Sequence, residues 1–204
     1  MGKKPRVLIV NNESKYMEGL VKAVGKHSKK TEIDTVNIKD VKSKIDPENV
    51  PYDAVILSGS FKRKYDSPEV QYVIKTVDKH NDKNKDNQVG LYGECLGHQA
   101  MVHYHEGKVV DLGKYQKGVK KIQLTDGTEA ETHKHHKWGV TEVSGLEAIA
   151  NSTVKDAKNN DVKIIEATKH PTKPYLSSQG HAAREGHARD LLYQILDYAH
   201  KKAA

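Results

Sequence analysis

The stretch Val89-Gly90-Leu91-Tyr92-Gly93-Glu94-Cys95-Leu96-Gly97-His98-Gln99 reads as a strand, a sharp turn and the start of a helix. Its apolar head, Val89 to Tyr92, is short and continuous, the pattern of a strand covered on both faces of a parallel sheet. Leu96 to Tyr104 reads as helix. Between them stands G-x-C-x-G, a nucleophile-elbow pattern with Cys in place of Ser. Such a turn forces its central residue into a strained backbone conformation, and the flanking glycines leave room for it. The thiol of Cys95 then projects above the carboxyl edge of the sheet, where α/β sites form. The helix start beneath it favours negative charge on sulfur. The Leu96 amide is positioned to donate to an oxyanion. The bland alternative is that Cys95 is a small buried hydrophobe, as free cysteines usually are.

Upstream, strand and helix alternate. Arg6 to Val10 and Ala54 to Leu57 are short apolar runs suited to buried parallel strands, and Thr31 to Ile38 alternates like a strand. Ser14 can cap a helix with Met17, Leu20, Val21 and Val24 on one face. Ser67-Pro68 opens another, with Val70, Val73, Ile74 and Val77 inward, and His80 to Gln88 reads as a polar loop. After Gly107 the texture changes to short strand-like pieces: Lys108 to Val110, Val119 to Leu124, Trp138 to Val143, Leu146 to Ala150 and Val162 to Ala167. Asp156 to Asp161 reads as a mobile loop. Leu191, Leu192, Ile195, Leu196 and Ala199 mark a closing amphipathic helix. The expectation is an α/β fold: a doubly wound, mostly parallel central sheet with flanking helices and a small mixed or antiparallel extension. One domain over residues 1–204 accounts for the length.

Composition narrows the function. With 34 basic and 27 acidic side chains, the formal charge is +7. The basic charge is mostly lysine, dispersed as Lys29-Lys30, Lys62 with Lys64, Lys120-Lys121 and Lys201-Lys202, and only four arginines occur. Nucleic-acid readers favour clustered arginine interleaved with aromatics, so no nucleic-acid partner is expected. One cysteine excludes a disulfide framework and a multi-Cys zinc site, and points to a reducing compartment. The apolar run after Met1-Gly2-Lys3-Lys4-Pro5-Arg6 is only Val7 to Val10, too short for a signal peptide, and nothing approaches the roughly 18–20 residues of a bilayer span. A cytoplasmic protein without a membrane partner is the expectation.

Gly93-Glu94-Cys95-Leu96-Gly97-His98-Gln99 closely resembles the active-site segment of class I glutamine amidotransferases, Gly-x-Cys-x-Gly-His-Gln. Val55-Ile56-Leu57-Ser58-Gly59-Ser60 resembles that family's strand and oxyanion loop, commonly Ser-Gly-Gly-Pro. Ser177-Ser178-Gln179-Gly180-His181 resembles its strand ending in the catalytic histidine, usually followed by Pro-Glu. The three segments come in the family's order, over about Arg6 to Ala199. Glu166 to Pro174 is similar to the stand-alone glutaminase subunit of archaeal GMP synthase. The Ser-Gly-Ser loop and Gln-Gly-His segment are more similar to GMP-synthase-like singletons and γ-glutamyl peptidases.

The resemblance implies hydrolysis of the γ-amide of glutamine, or of a γ-glutamyl compound, through a thioester on Cys95, with no cofactor. His181 would be the base and then the acid. Gly59, Ser60 and Leu96 would form the oxyanion hole, and Gln99 and His136 would contact the substrate. Ammonia would pass to a separate synthetase such as GMP synthase, or be released.

Four positions depart from the family pattern. Ala182-Ala183 stands where Pro-Glu is usual, so the carboxylate that orients the imidazole is missing from its place. Glu185 is the expected substitute, and Ala183→Glu would then raise activity. Glu94 is near in sequence without any need to face His181. Ser60 replaces a loop glycine, which strains the turn if that residue needs positive φ. Trp138 replaces an acidic residue. These departures leave open a weakened or inactive binding or regulatory protein on the same fold. A further rival is a zinc or nickel site drawn from His133, His135, His136 and His170, or from His103 with His105. No acidic or Cys partner has ligand spacing, and no metal is expected. Activity is expected to rise as His181 loses its proton near 6.5, unless the site shifts it.

Overall fold

A computed structural model describes residues 3–27 and 30–204 of the chain. Met1, Gly2 and Lys29, which the sequence reading includes, lie outside the described residues, as does Ser28. The elements run β1 (Arg6–Asn11), α1 (Met17–His27), β2 (Glu32–Asn37), β3 (Ala54–Leu57), α2 (Pro68–Lys83), β4 (Gly90–Glu94), α3 (Leu96–Tyr104), β5 (Lys108–Leu124), β6 (Glu129–Glu142), β7 (Glu147–Lys155), β8 (Asp161–Lys169), β9 (Tyr175–Ser178) and α4 (His187–Ala203). One nine-stranded sheet has the order β2-β1-β3-β4-β9-β8-β6-β5-β7.

The first five strands of that order are mutually parallel. Their side chains alternate between two covered faces, which is why β1, β3 and β4 read as unbroken apolar runs. Leu8, Val10, Val55, Leu57 and Leu91 pack with Val73, Ile74 and Val77 of α2 and Leu96 and Ala100 of α3. Val7, Ile9, Ala54, Ile56 and Tyr92 pack with Leu20 and Val24 of α1 and Leu191, Leu192 and Ile195 of α4. The α/β class and the doubly wound arrangement are those expected.

The antiparallel part is larger than expected. β8 pairs antiparallel with β9, and β5 to β8 extend the sheet as two long hairpins. Lys108–Val110 and Val119–Leu124 belong to the single strand β5, whose pairing with β6 shifts register between Asp111 and Gln116. Most of β5 faces solvent on both sides, so no apolar alternation marks its continuity. Helix α2 also continues to Lys83, past the expected break at His80. Its last turn is held by buried Asn81, whose Oδ1 accepts from the Val89 N–H (2.7 Å) while its Nδ2 donates to the Val89 carbonyl (2.8 Å). Asp156 to Asp161 is a tight hairpin turn, in which Asp156 Oδ1 accepts from the N–H groups of Lys158 and Asn160 (2.9 and 2.8 Å). No helix among the described residues is long and apolar enough to cross a membrane.

Candidate active site

Strand β4 ends at Glu94 and helix α3 begins at Leu96, so the chain reverses within the single residue Cys95. Its backbone sits at φ 51°, ψ −98°. A non-glycine residue there costs on the order of 1–3 kcal/mol and persists only where its surroundings force it. Two hydrogen bonds clamp it. Its N–H donates to the Ser178 carbonyl (2.8 Å), and its carbonyl accepts from the Gln99 N–H (3.1 Å). The glycines on either side permit the close approach. A Cβ on Gly93 would lie 2.6 Å from the Gly97 carbonyl, and one on Gly97 would lie 2.8 Å from the Leu57 carbonyl oxygen. As the first residue of α3, Leu96 has no helical acceptor for its N–H, which leaves that amide available at the turn.

His181 arrives from the far end of the chain, three residues after β9. Its N–H donates to the His133 carbonyl (3.0 Å), which fixes the loop against β6. A Cβ on Gly59 would stand 3.1 Å from His181 Cε1 and 3.2 Å from Cys95 Cβ, so these three residues meet at one point. The ring is 1% exposed. Its Nδ1–H donates to Glu94 Oε1 (3.0 Å), and the other carboxylate oxygen of Glu94 accepts from the Ala182 N–H (2.8 Å). Nε2 makes no hydrogen bond to any described residue. Burial alone pulls the imidazole's proton affinity down. The adjacent Cys95 and then Glu94 outweigh it and hold the His181 pKa well above its ordinary value. The expectation of a titration near 6.5 therefore moves upward. Tyr16 covers the ring, with centroids 4.4 Å apart, and its hydroxyl hydrogen-bonds His135 Nδ1 (2.8 Å).

Glu185 does not stand behind His181. Its side chain is 93% exposed and its nearest charge is Arg189 Nη1, 3.5 Å away. The chain turns out toward α4 there, whereas Glu94 approaches the imidazole from the strand beneath. The condition under which Ser60 would strain the turn is not met. The residue has no positive φ, and its Oγ accepts from the N–H groups of Lys62 (3.1 Å) and Arg63 (3.0 Å), which ties the loop after β3 into a turn.

A pocket of about 100 Å³ opens beside Cys95, lined by Ser60, Arg63, Leu96, Gln99, His136 and Trp138 among others. Gln99 Nε2 donates to the Trp138 carbonyl (2.9 Å) and to Gln179 Oε1 (3.1 Å). His136 Nδ1–H donates to the same Trp138 carbonyl (2.8 Å), which leaves Nε2 as a buried acceptor without a partner among the described residues. Burial, and then the Lys134 charge, push the His136 pKa down to about 3, so the ring is neutral. The backbone of Trp138 thus positions both polar groups, a task that does not depend on its side chain.

The histidines counted as a rival metal site are dispersed. β6 buries Lys134 and His136 on one face and turns His133 and His135 to the other, near His181 and Tyr16. His105 packs against His170 (5.4 Å between centroids). Among the described residues, no group of three or more His, Cys, Asp or Glu is placed to hold a metal ion.

The sequence profile described as glutamine amidotransferase class-I matches residues 8–187. No curated protein matches the chain by sequence. Solved structures share its fold. A protein from Thermoplasma acidophilum, assigned as one of the subunits of GMP synthase, superposes with a TM-score of 0.67 at 15% identity, covering 97% of this chain and 95% of that one. The glutaminase domain of Trypanosoma brucei CTPS, solved with bound acivicin, gives 0.64 at 12% identity over 98% and 95%. A glutamine amidotransferase from Thermotoga maritima gives 0.64 at 15% identity over 97% and 84%.

Proposed function

The chain belongs to the class I glutamine amidotransferase family, and we propose that it is a working glutaminase that cleaves the γ-amide of glutamine or a γ-glutamyl compound. The observation that carries this reading is the convergence of a strained Cys95, the Gly59 turn and the buried His181 on one point beside a pocket. Cys95 sulfur attacks the γ-carbonyl carbon. The resulting oxyanion is met by the Leu96 N–H and an amide of the Gly59-Ser60 turn. The His181 imidazolium gives its proton to the amide nitrogen, the C–N bond breaks, and ammonia leaves a γ-glutamyl thioester on Cys95. Neutral His181 then takes a proton from water as the hydroxyl adds to the thioester. Collapse releases glutamate and returns the sulfur and imidazolium to their starting states. Gln99 and neutral His136 contact the amino-acid end of the substrate. Ammonia passes to a separate synthetase such as GMP synthase or is released, the former in keeping with the GMP synthase subunit of similar fold.

The test is ammonia release from L-glutamine by the purified chain, in wild type, Cys95→Ala and His181→Ala. Release that both substitutions abolish, together with covalent labelling of Cys95 by acivicin, supports the reading. An unmodified Cys95 after acivicin exposure overturns it in favour of a binding protein on the same fold.

A further inference from the structure

We infer that Glu94, the residue immediately before the nucleophile, is the positioning carboxylate of His181, and that Ala182 completes its seat. The inference deepens the proposed glutaminase reaction and rests on that reading only for its rate measurement. Glu94 is fully buried at the end of β4. Both of its oxygens are spoken for: Oε1 accepts from His181 Nδ1–H, and Oε2 accepts from the Ala182 N–H. A buried carboxylate satisfied in this way fixes the ring's rotation and tautomer and directs Nε2 away from it, the role an orienting acid plays in a nucleophile–histidine pair.

The second contact depends on the residue type at 182. A proline there has no N–H and would leave Oε2 buried and unpaired, at a cost of about 1–3 kcal/mol. Position 183 cannot take over the role. The Ala183 Cβ lies 2.7 Å from where a Cβ on Gly19 would be, so it faces helix α1 rather than the imidazole. Glu185 is at the surface. The other groups around the ring are Cys95 on the elbow, Tyr16 from the segment before α1, and His133, His135 and His136 from β6. Burial lowers the pKa of all three β6 histidines, and the carboxylate in contact with the ring is that of Glu94.

The experiment is Glu94→Gln in the full chain, with folding checked by circular dichroism and thermal melting. An amide at 94 opposes its own N–H₂ to either His181 Nδ1–H or the Ala182 N–H. The expected result is a fall in kcat of about 10²- to 10⁴-fold with KM little changed. The rate of Cys95 alkylation by iodoacetamide, followed against pH, should also shift its inflection upward by about one to three pH units, because the imidazolium paired with the sulfur loses its counter-charge. That second readout needs no glutamine turnover, so it decides the role of Glu94 even if the chain releases no ammonia. Folded Glu94→Gln with an unchanged alkylation profile overturns the inference, whatever its activity. Should the variant not fold, the wild-type chain still decides. A strongly downfield ring N–H proton resonance, lost in His181→Ala, is expected, and its absence from the folded protein overturns the assignment.

Discussion

His98 offers the sharpest test of how the elbow helix is held. It is fully buried on α3, three residues after Cys95. Nε2 lies 3.1 Å from the Ile165 carbonyl, which only accepts, so Nε2 carries the proton. Nδ1 therefore accepts from Ser177 Oγ (2.8 Å), and Ser177 Oγ in turn pairs with Thr168 Oγ1 (2.5 Å). This chain of bonds joins α3 to β8 and β9 and is complete only when His98 is neutral. Burial pushes its pKa down to about 4. An unfolded histidine titrates near 6.5. The folded value is depressed, so between about 6.5 and 4 the unfolded chain binds the extra proton. The stability from neutral His98 is complete above about 6.5 and is lost as the pH falls from there toward 4. At about 1.4 kcal/mol per unit, integrating from pH 7 to 4.5 gives a loss of about 2 kcal/mol from this one residue. Urea unfolding of wild type and His98→Asn across pH 7 to 4.5 measures it. The gap between the two stability curves should close by about 2 kcal/mol on acidification. Parallel curves would refute the reasoning, since they would mean that His98 takes up its proton equally in both states.

Three further substitutions test the framework. Gly97→Ala places a Cβ 2.8 Å from the Leu57 carbonyl oxygen and Cβ. It should destabilise the fold by about 1–3 kcal/mol in urea titration, as overpacking does, and it should displace the Cys95 turn enough to slow alkylation of the thiol. Lys134→Met removes the cation from a buried pair with Glu166, whose Oε2 already lacks a partner among the described residues. A loss of about 3–5 kcal/mol is expected from the uncompensated carboxylate, and the double variant Lys134→Met, Glu166→Leu should recover part of it. Ala183→Glu should give no gain in glutaminase rate and a lower Tm, because its Cβ points at Gly19 on α1. This reverses what the sequence alone suggests for that position, and a rise in rate would show that the 181–184 turn can rearrange.

Much of the parallel half is legible in the sequence because both of its faces are covered. β1, β3 and β4 carry four or five consecutive buried residues, and short apolar runs set between amphipathic helices have few other folds to enter. The antiparallel half is less legible for the opposite reason. β5 is seventeen residues long but buries little beyond Leu112 and Ile122. Its pairing comes from backbone hydrogen bonds to β6, and those leave no mark on side-chain hydropathy. β6 hides its organisation in a run of histidines and lysines, where burial of Lys134 depends on Glu166 and Ser152, residues that are distant in sequence.

The site residues divide along the same line. Cys95, Leu96, Gln99 and the Gly59 turn lie at strand and helix ends, where local pattern fixes direction, and the structure gathers them with His181 and His136. An acid downstream of His181 is the expectation that the family resemblance raises, because the usual carboxylate stands two residues after the histidine. Strand parity argues otherwise. Tyr92 and Glu94 are two residues apart on β4 and share a face, and Tyr92 packs among the residues of α1 and α4. Glu94 pairs in register with Ser178 on the adjacent parallel strand β9, and the chain leaving β9 turns toward α4, on that same face. His181 therefore descends onto the side of the sheet to which Glu94 already points. Glu94 thus faces whatever crosses over from the neighbouring strand. In this chain that group is the imidazole.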